Sequence, residues 1–448
     1  MKLTIKNLGK ISESSFELND LTVLVGDNNS GKTYITYTTY GVIKYLSHYL
    51  KFGNLKKIVD ELKVKGQVKL EHFDLKNLMD KSTVRIPPNN IKKLFRNIFN
   101  DKESIFENAT FELEYLFPET LKDSRFEFRL GKNTTLEGEI KNNILNLTLT
   151  LTSKVDLENT TLTFLLSDLL KSIFIPQILP NPFIVTAERL GISLFYKELD
   201  ERRNFMIEGL QKLQHNEDDL HPLDLITGMS AYYATPIRDH IAFTRNIDNF
   251  QKNRTKIDLT KTFEILKQIL GAEFKKETKK DIRFYTKKKK INKFDIPLYL
   301  ASSSARCLVD IYFFLRCIAK PGDLLIVDEP ESHLTLRNQR FMAKLFASLV
   351  NSGIKVFITT HSDFLVKELN NLIMLNNEFE GKENFLKEFK NIYDKNDFLS
   401  PNKISIYQAK NGKLEKMEVT EKGVAVPYFD EEINSIFEAS SELDFLLS

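Results

Sequence analysis

One octapeptide, Gly26-Asp27-Asn28-Asn29-Ser30-Gly31-Lys32-Thr33, constrains this chain more than any other feature. It satisfies the pattern G-x-x-x-x-G-K-[ST] between an apolar run, Leu21 to Val25, and a stretch of helical character from Lys32 to Leu50. Strand, glycine-rich loop and helix in that order let successive backbone N–H groups and a helix N-terminus converge on one point. Phosphate oxygens suit such a point. Gly26, Asp27, Asn28, Asn29, Ser30 and Gly31 would wrap the phosphates of a nucleotide, Lys32 would reach its β- and γ-phosphates, and Thr33 would ligate Mg2+.

A second element matches the first. Leu324-Leu325-Ile326-Val327 reads as a buried strand that delivers Asp328 and Glu329 at its carboxyl end, where open α/β sheets bind ligands. Asp328 is expected to hold the metal ion, and Glu329 to orient or deprotonate an attacking water. A third strand, Val356-Phe357-Ile358-Thr359, leads to Thr360-His361-Ser362, which places the His361 imidazole within reach of a γ-phosphate. Glu329, Lys32 and His361 are therefore the candidate catalytic residues, with Thr33 and Asp328 as the metal-binding pair.

The loop with Asn28, the string Asp328-Glu329-Pro330-Glu331-Ser332-His333-Leu334 and the string Thr359-Thr360-His361-Ser362 together resemble the ABC-type ATPases of the SMC, RecF and OLD group. The resemblance implies an α/β fold of the ABC-type P-loop class, with a mixed central sheet, an antiparallel β layer and helical insertions. It implies ATP and Mg2+ as cofactors. It also implies a signature segment ahead of the Asp328 strand, for which Ser302, Ser303 and Ser304 are the candidates: hydroxyls and helix N-terminal amides that would cap the γ-phosphate held by a second copy. Ser304 stands where the group ordinarily has glycine. The glutamine expected near Thr186-Ala187-Glu188-Arg189 is absent, leaving Glu188 and Arg189 as either an ion pair linking lobes or a metal contact. Glu331 and His333 are candidates to cross a dimer interface.

Composition excludes several other classes. With 448 residues, 42% hydrophobic and 28% charged, the chain has the balance of a globular protein, and its formal net charge of +3 supplies no global field toward polyanions. The start, Met1-Lys2-Leu3-Thr4-Ile5, alternates like a strand and unlike a signal peptide. The best apolar run, near Leu308 to Ile318, is interrupted by Asp310 and Arg316, so a cytoplasmic location without a membrane span is expected. The only cysteines, Cys307 and Cys317, are ten residues apart on one expected helix and read as buried thiols.

Along the chain the reading divides into an ATPase-core start at 1–50, a helical insertion at 51–110, and an antiparallel layer with its linker at 111–180. A helical lobe with a basic hairpin follows at 181–297, then the signature-like helix and the last two motifs at 298–375, and an α/β tail at 376–448. His215 to His221 gathers imidazoles and carboxylates but reads as an acidic loop. The basic stretch Lys275–Lys293, with Phe284 and Tyr285 interleaved, is the one candidate nucleic-acid contact.

The expected activity is binding and hydrolysis of ATP at composite sites of a homodimer or higher homo-oligomer. By resemblance to the ATPase subunits of anti-phage systems such as Septu, PARIS or retron-linked systems, the chain would act as a sensor or switch on a separate effector, a nuclease or toxin. The competing expectations are a RecF- or SMC-like DNA-binding ATPase of repair and a self-contained nuclease.

Overall fold

The computed structural model describes residues 1–50, 52–53, 55–78, 83–85, 88–100, 105–130, 134–151, 158–196, 233–276, 281–286 and 294–447. In chain order its strands are β1 (Lys2–Leu8), β2 (Ile11–Glu17), β3 (Leu21–Gly26), β4 (Gln67–Leu70), β5 (Thr83–Arg85), β6 (Thr110–Glu114), β7 (Ser124–Leu130), β8 (Thr134–Lys141) and β9 (Ile144–Leu151). They continue with β10 (Pro182–Val185), β11 (Glu273–Lys275), β12 (Arg283–Tyr285), β13 (Asp295–Pro297), β14 (Leu324–Asp328), β15 (Lys355–Thr360), β16 (Ile404–Lys410) and β17 (Lys413–Met417).

The central sheet has the order β10-β14-β15-β3-β16-β17. Its pairs are parallel except at the β16–β17 edge, which makes the sheet mixed, as the resemblance implies. Both faces are covered, so the inner strands are continuously apolar and their side chains alternate between two cores. Val23, Val25, Leu325, Val327, Val356 and Ile358 face one core, beneath the helices Ser303–Cys317, Leu336–Asn351 and Asp363–Met374. Leu24, Ile326 and Phe357 face the other, beneath the helix Lys32–Tyr45. Two antiparallel sheets extend that second core: β2-β1-β6-β5 and β4-β9-β8-β7.

Three expectations change here. The segment after Leu50 is not wholly helical, because β4 and β5 lie among its helices Leu55–Lys65, His72–Leu78 and Pro88–Phe99 and pair with β9 and β6. The strand at Phe111 belongs beside β1 and not in the meander, which runs from β7 to β9. β16 of the tail is an inner strand, parallel to β3 from Ile404↔Leu21 to Ala409↔Gly26. In each case the partner is remote in sequence, and local periodicity carries no information about it.

The helix Asn159–Ile178 is also longer and more apolar than any run singled out from the sequence, and by length and composition alone it is sufficient to cross a bilayer. Leu162, Leu166, Leu169, Leu170, Ile173 and Phe174 are buried in the core it shares with the meander, whereas Phe164 is exposed. That is the face pattern of a helix lying on a core. Gly138 of β8 permits the close approach, since a Cβ there would stand 2.8 Å from Ile173 Cδ1. The segment His215–His221 and most of the Lys275–Lys293 lysines lie outside the described residues.

Candidate active site

The three motifs meet at the carboxyl end of the parallel strands. β3 runs into the phosphate loop, β14 into Asp328-Glu329 and β15 into His361, with Asp328 in register with Thr359 and Thr360 in register with Val25. Gly26 (φ 147°) and Gly31 (φ 96°) hold backbone conformations that a side chain would strain, and a Cβ on Gly26 would lie 2.6 Å from Ala409 O. Glycine at Gly26 is thus required by β16 as well as by the loop. Asn29, at φ 62°, takes the remaining left-handed position.

Lys32 opens its helix and is buried, and its ammonium donates to Gly26 O (2.9 Å), Asp27 O (2.7 Å) and Ser30 Oγ (3.3 Å). Burial pushes that ammonium below its ordinary pKa, opposed by the nearby Glu329 and Asp328 carboxylates. Asp328 is only 1% exposed. Burial raises its carboxyl to about 6, and hydrogen bonding from Thr359 is the main opposing influence. Asp328 Oδ1 accepts from Thr359 Oγ1, while the buried Oδ2 has no partner in the structure. A buried, unpartnered carboxylate oxygen beside the Thr33 position suits a hard cation.

Glu329 is held in a left-handed conformation, φ 51°, which costs a non-glycine residue on the order of 1–3 kcal/mol and persists only where neighbours enforce it. The enforcing groups are visible. Glu329 N donates to Thr359 Oγ1 (3.1 Å), and Arg189 Nη2 donates to Glu329 O (2.6 Å). The carboxylate accepts from Ser332 Oγ (3.3 Å) and has His361 Nε2 at 3.7 Å from Oε1. Above all His361 holds it below the usual glutamate range. A half-buried, ionised carboxylate beside an imidazole can take a proton from water.

Arg189 is the residue whose role the sequence obscured. It does not pair with Glu188. Its guanidinium, 1% exposed, donates from Nη1 to Asp328 O (2.8 Å) and from Nη2 to Glu329 O and Ser332 O (3.4 Å), clamping the turn that presents both carboxylates. Glu188 instead accepts from Tyr37 Oη (3.2 Å), a phenol whose pKa burial pushes far up. Glu331 turns its Oε1 inward to accept from His361 N (2.6 Å). His333 is exposed, at φ 64°.

Ser302 N-caps the helix Ser303–Cys317 by accepting from Ala305 N (3.3 Å), and its hydroxyl lies 3.0 Å from Ser304 Oγ. Just before it, Tyr299 and Leu300 stand exposed. The same helix carries Asp310, a buried carboxylate in an otherwise apolar run. Asp310 Oδ2 is 3.1 Å from His240 Nε2, Asp310 Oδ1 accepts from Thr244 Oγ1 (3.0 Å), and His240 Nδ1 accepts from Thr186 N (3.2 Å). That backbone bond fixes the tautomer: the proton sits on Nε2 and is donated to Asp310. A lone acid inside an apolar helix was the sequence signal for this network.

A family profile described as AAA ATPase domain matches residues 1–366. The chain belongs to the AAA ATPase domain family. It is an ATP-binding ATPase. Among solved structures it is similar to the SMC head domain from Thermotoga maritima, at 11% identity and a TM-score of 0.32 over 94% of this chain and 98% of that one. It is also similar to an Smc head domain with an extended coiled coil bound to the C-terminal domain of ScpA from Pyrococcus furiosus, at 12% identity and a TM-score of 0.31 over 98% of each chain. No curated protein matches the chain.

Proposed function

We propose that this ATPase is a cytoplasmic switch in which two copies close on ATP at composite sites and thereby control a separate effector protein of an anti-phage system. Within one site, Asp328 and Thr33 would hold Mg2+, which supplies charge neutralisation at the phosphates when bound. Lys32 exchanges the carbonyls of its own loop for the β- and γ-phosphates. Glu329 receives a proton from the attacking water, and His361 lies against the γ-phosphate and the Glu329 carboxylate.

The observation that carries the switch is the hydrogen-bonded path from Asp310 through His240 to Thr186, which stands three residues before Arg189. It joins the helix opened by Ser302–Ser304 to the residue that clamps Asp328 and Glu329. Contact of that helix N-terminus with a partner's γ-phosphate would therefore reach the catalytic turn through rigid, buried groups. Of the basic stretch proposed for DNA, the described residues Lys275 and Arg283 are paired with Asp295 and Lys276 with Asp248.

The test is ATP-dependent association of Glu329→Gln, in which the amide keeps the shape of the carboxylate but cannot act as a base. The expected result is retained ATP affinity, slowed hydrolysis and an accumulated closed dimer in light scattering. An effector encoded beside this gene should co-purify differently with that variant and with the unaltered chain. Normal turnover in Glu329→Gln, or a monomer at saturating ATP, would refute the reading.

A further inference from the structure

The helix Pro427–Leu447 is the last element among the described residues. Its root is fixed: Val424 N donates to Asn370 Oδ1 (2.9 Å), Asn370 Nδ2 donates to Val424 O (2.8 Å), and Gly423, at φ 93°, packs so closely that a Cβ would meet Asn370 Oδ1 at 2.3 Å. Beyond the root every residue from Asn434 to Leu447 is exposed. At 1.5 Å per residue a helix of 21 residues extends roughly 30 Å.

The exposed surface is not that of a solvated helix. Ile433, Ile436, Phe437, Leu443 and Leu447 fall on one side of the helix, with Ser440 and Asp444 among them, and Ile436, Phe437, Leu443 and Leu447 are 65, 66, 61 and 86% exposed, while Phe445 and Leu446 are exposed on other sides. So many large apolar side chains exposed on one helix mark a contact surface. The charge in the sequence of this helix is of one sign. Asp430, Glu431, Glu432, Glu438, Glu442 and Asp444 are six of the 61 acidic residues of the chain, and none of its 64 basic residues lies in this helix. The first 426 residues therefore carry nine surplus positive charges.

We infer that this helix docks on the basic body of a second copy of the chain, joining two copies independently of nucleotide. Charge chooses the occupant. Two such helices laid side by side would set carboxylates against carboxylates, which is repulsive, whereas the body of another copy supplies the complementary sign. This goes beyond the ATP-gated closure and does not rest on it.

The test is sedimentation velocity on the nucleotide-free full chain carrying Lys32→Ala, so that ATP-driven closure cannot contribute. The full chain should self-associate, and the association should weaken as NaCl rises, because screening acts on opposite charges. A stop after Val426 and, separately, Ile436→Glu with Phe437→Glu should each weaken it at least about tenfold, or ~1.4 kcal/mol. The double substitution alters only exposed side chains and so serves if the shortened chain does not fold. A monomer at up to about 0.1 mM overturns the inference and leaves these side chains to a different protein. Equal association of variant and parent also overturns it. So does association that strengthens with salt, the mark of helix-on-helix apolar pairing. If this association holds while ATP fails to close the Glu329→Gln chain, the composite-site reading falls and the docking helix stands.

Discussion

At the scale of single residues, the site is set by what it costs to hold charge at the end of a buried sheet. Asp328 titrates near 6 instead of 3.8 because burial disfavours its ionised form. The sign follows: between these values the folded chain keeps a proton that the unfolded chain has lost, so metal-free stability falls as pH rises from about 4 to 6. The penalty at neutral pH is on the order of 3 kcal/mol. Asp328→Asn should therefore raise the metal-free Tm at pH 7, remove that part of the pH slope and abolish Mg2+-dependent hydrolysis; a Tm that falls would contradict the assignment. Lys32→Ala should abolish hydrolysis and weaken ATP binding, as measured by turnover and by nucleotide titration, since no other described cation lies within the loop. Arg189→Met keeps the volume but loses charge-assisted bonds worth about 1.5–3 kcal/mol each. It should lower Tm and, by freeing the strained Glu329, reduce turnover more than ATP affinity.

At the scale of elements, legibility in the sequence followed the range of the interaction. The strands β3, β14 and β15 and the residues at their ends could be read because each motif announces itself within eight residues. β4 and β5 could not, because what makes each a strand is an edge supplied by β9 or β6, outside its own stretch of sequence. β16 reads as a strand near Lys403 to Tyr407, but its place beside β3 in the middle of the sheet does not follow from its own residues. Arg189 was visible as a charge, but its acceptors are backbone carbonyls of residues 328, 329 and 332, and carbonyls have no sequence signature. Asp310 was visible too, as the acid that breaks an apolar run. Its partners tie the helix Ser303–Cys317 to the end of β10. Asp310→Ala strands the His240 Nε2–H, while the Thr244 hydroxyl keeps His240 O as an acceptor. ATP should still bind each chain while ATP-driven association weakens about tenfold, with Asp310→Asn recovering part of the loss. Equal losses in Asp310→Asn and Asp310→Ala would mean that the bond to His240 plays no part in closure.

At the scale of the whole molecule, the question is whether two chains complete one site. If the Ser302–Ser304 helix start caps a partner's γ-phosphate, Ser303→Arg should block closure and leave ATP binding at each phosphate loop nearly intact. Ser303→Arg and Lys32→Ala should each be inactive alone. Mixed, they form head-to-tail dimers in which one site joins an intact loop to an intact helix start while the other has both halves broken. Turnover in the mixture should then rise above either parent and pass through a maximum near equal proportions. Obligatory coupling between sites would suppress that rescue, so closure is measured as well: in a Glu329→Gln background, Ser303→Arg should show no further association when ATP is added. A chain that closes normally despite the arginine has Ser302 as a helix cap and nothing more, a role its bond from Ala305 N already satisfies. The two outcomes separate a site built by one chain from a site built by two.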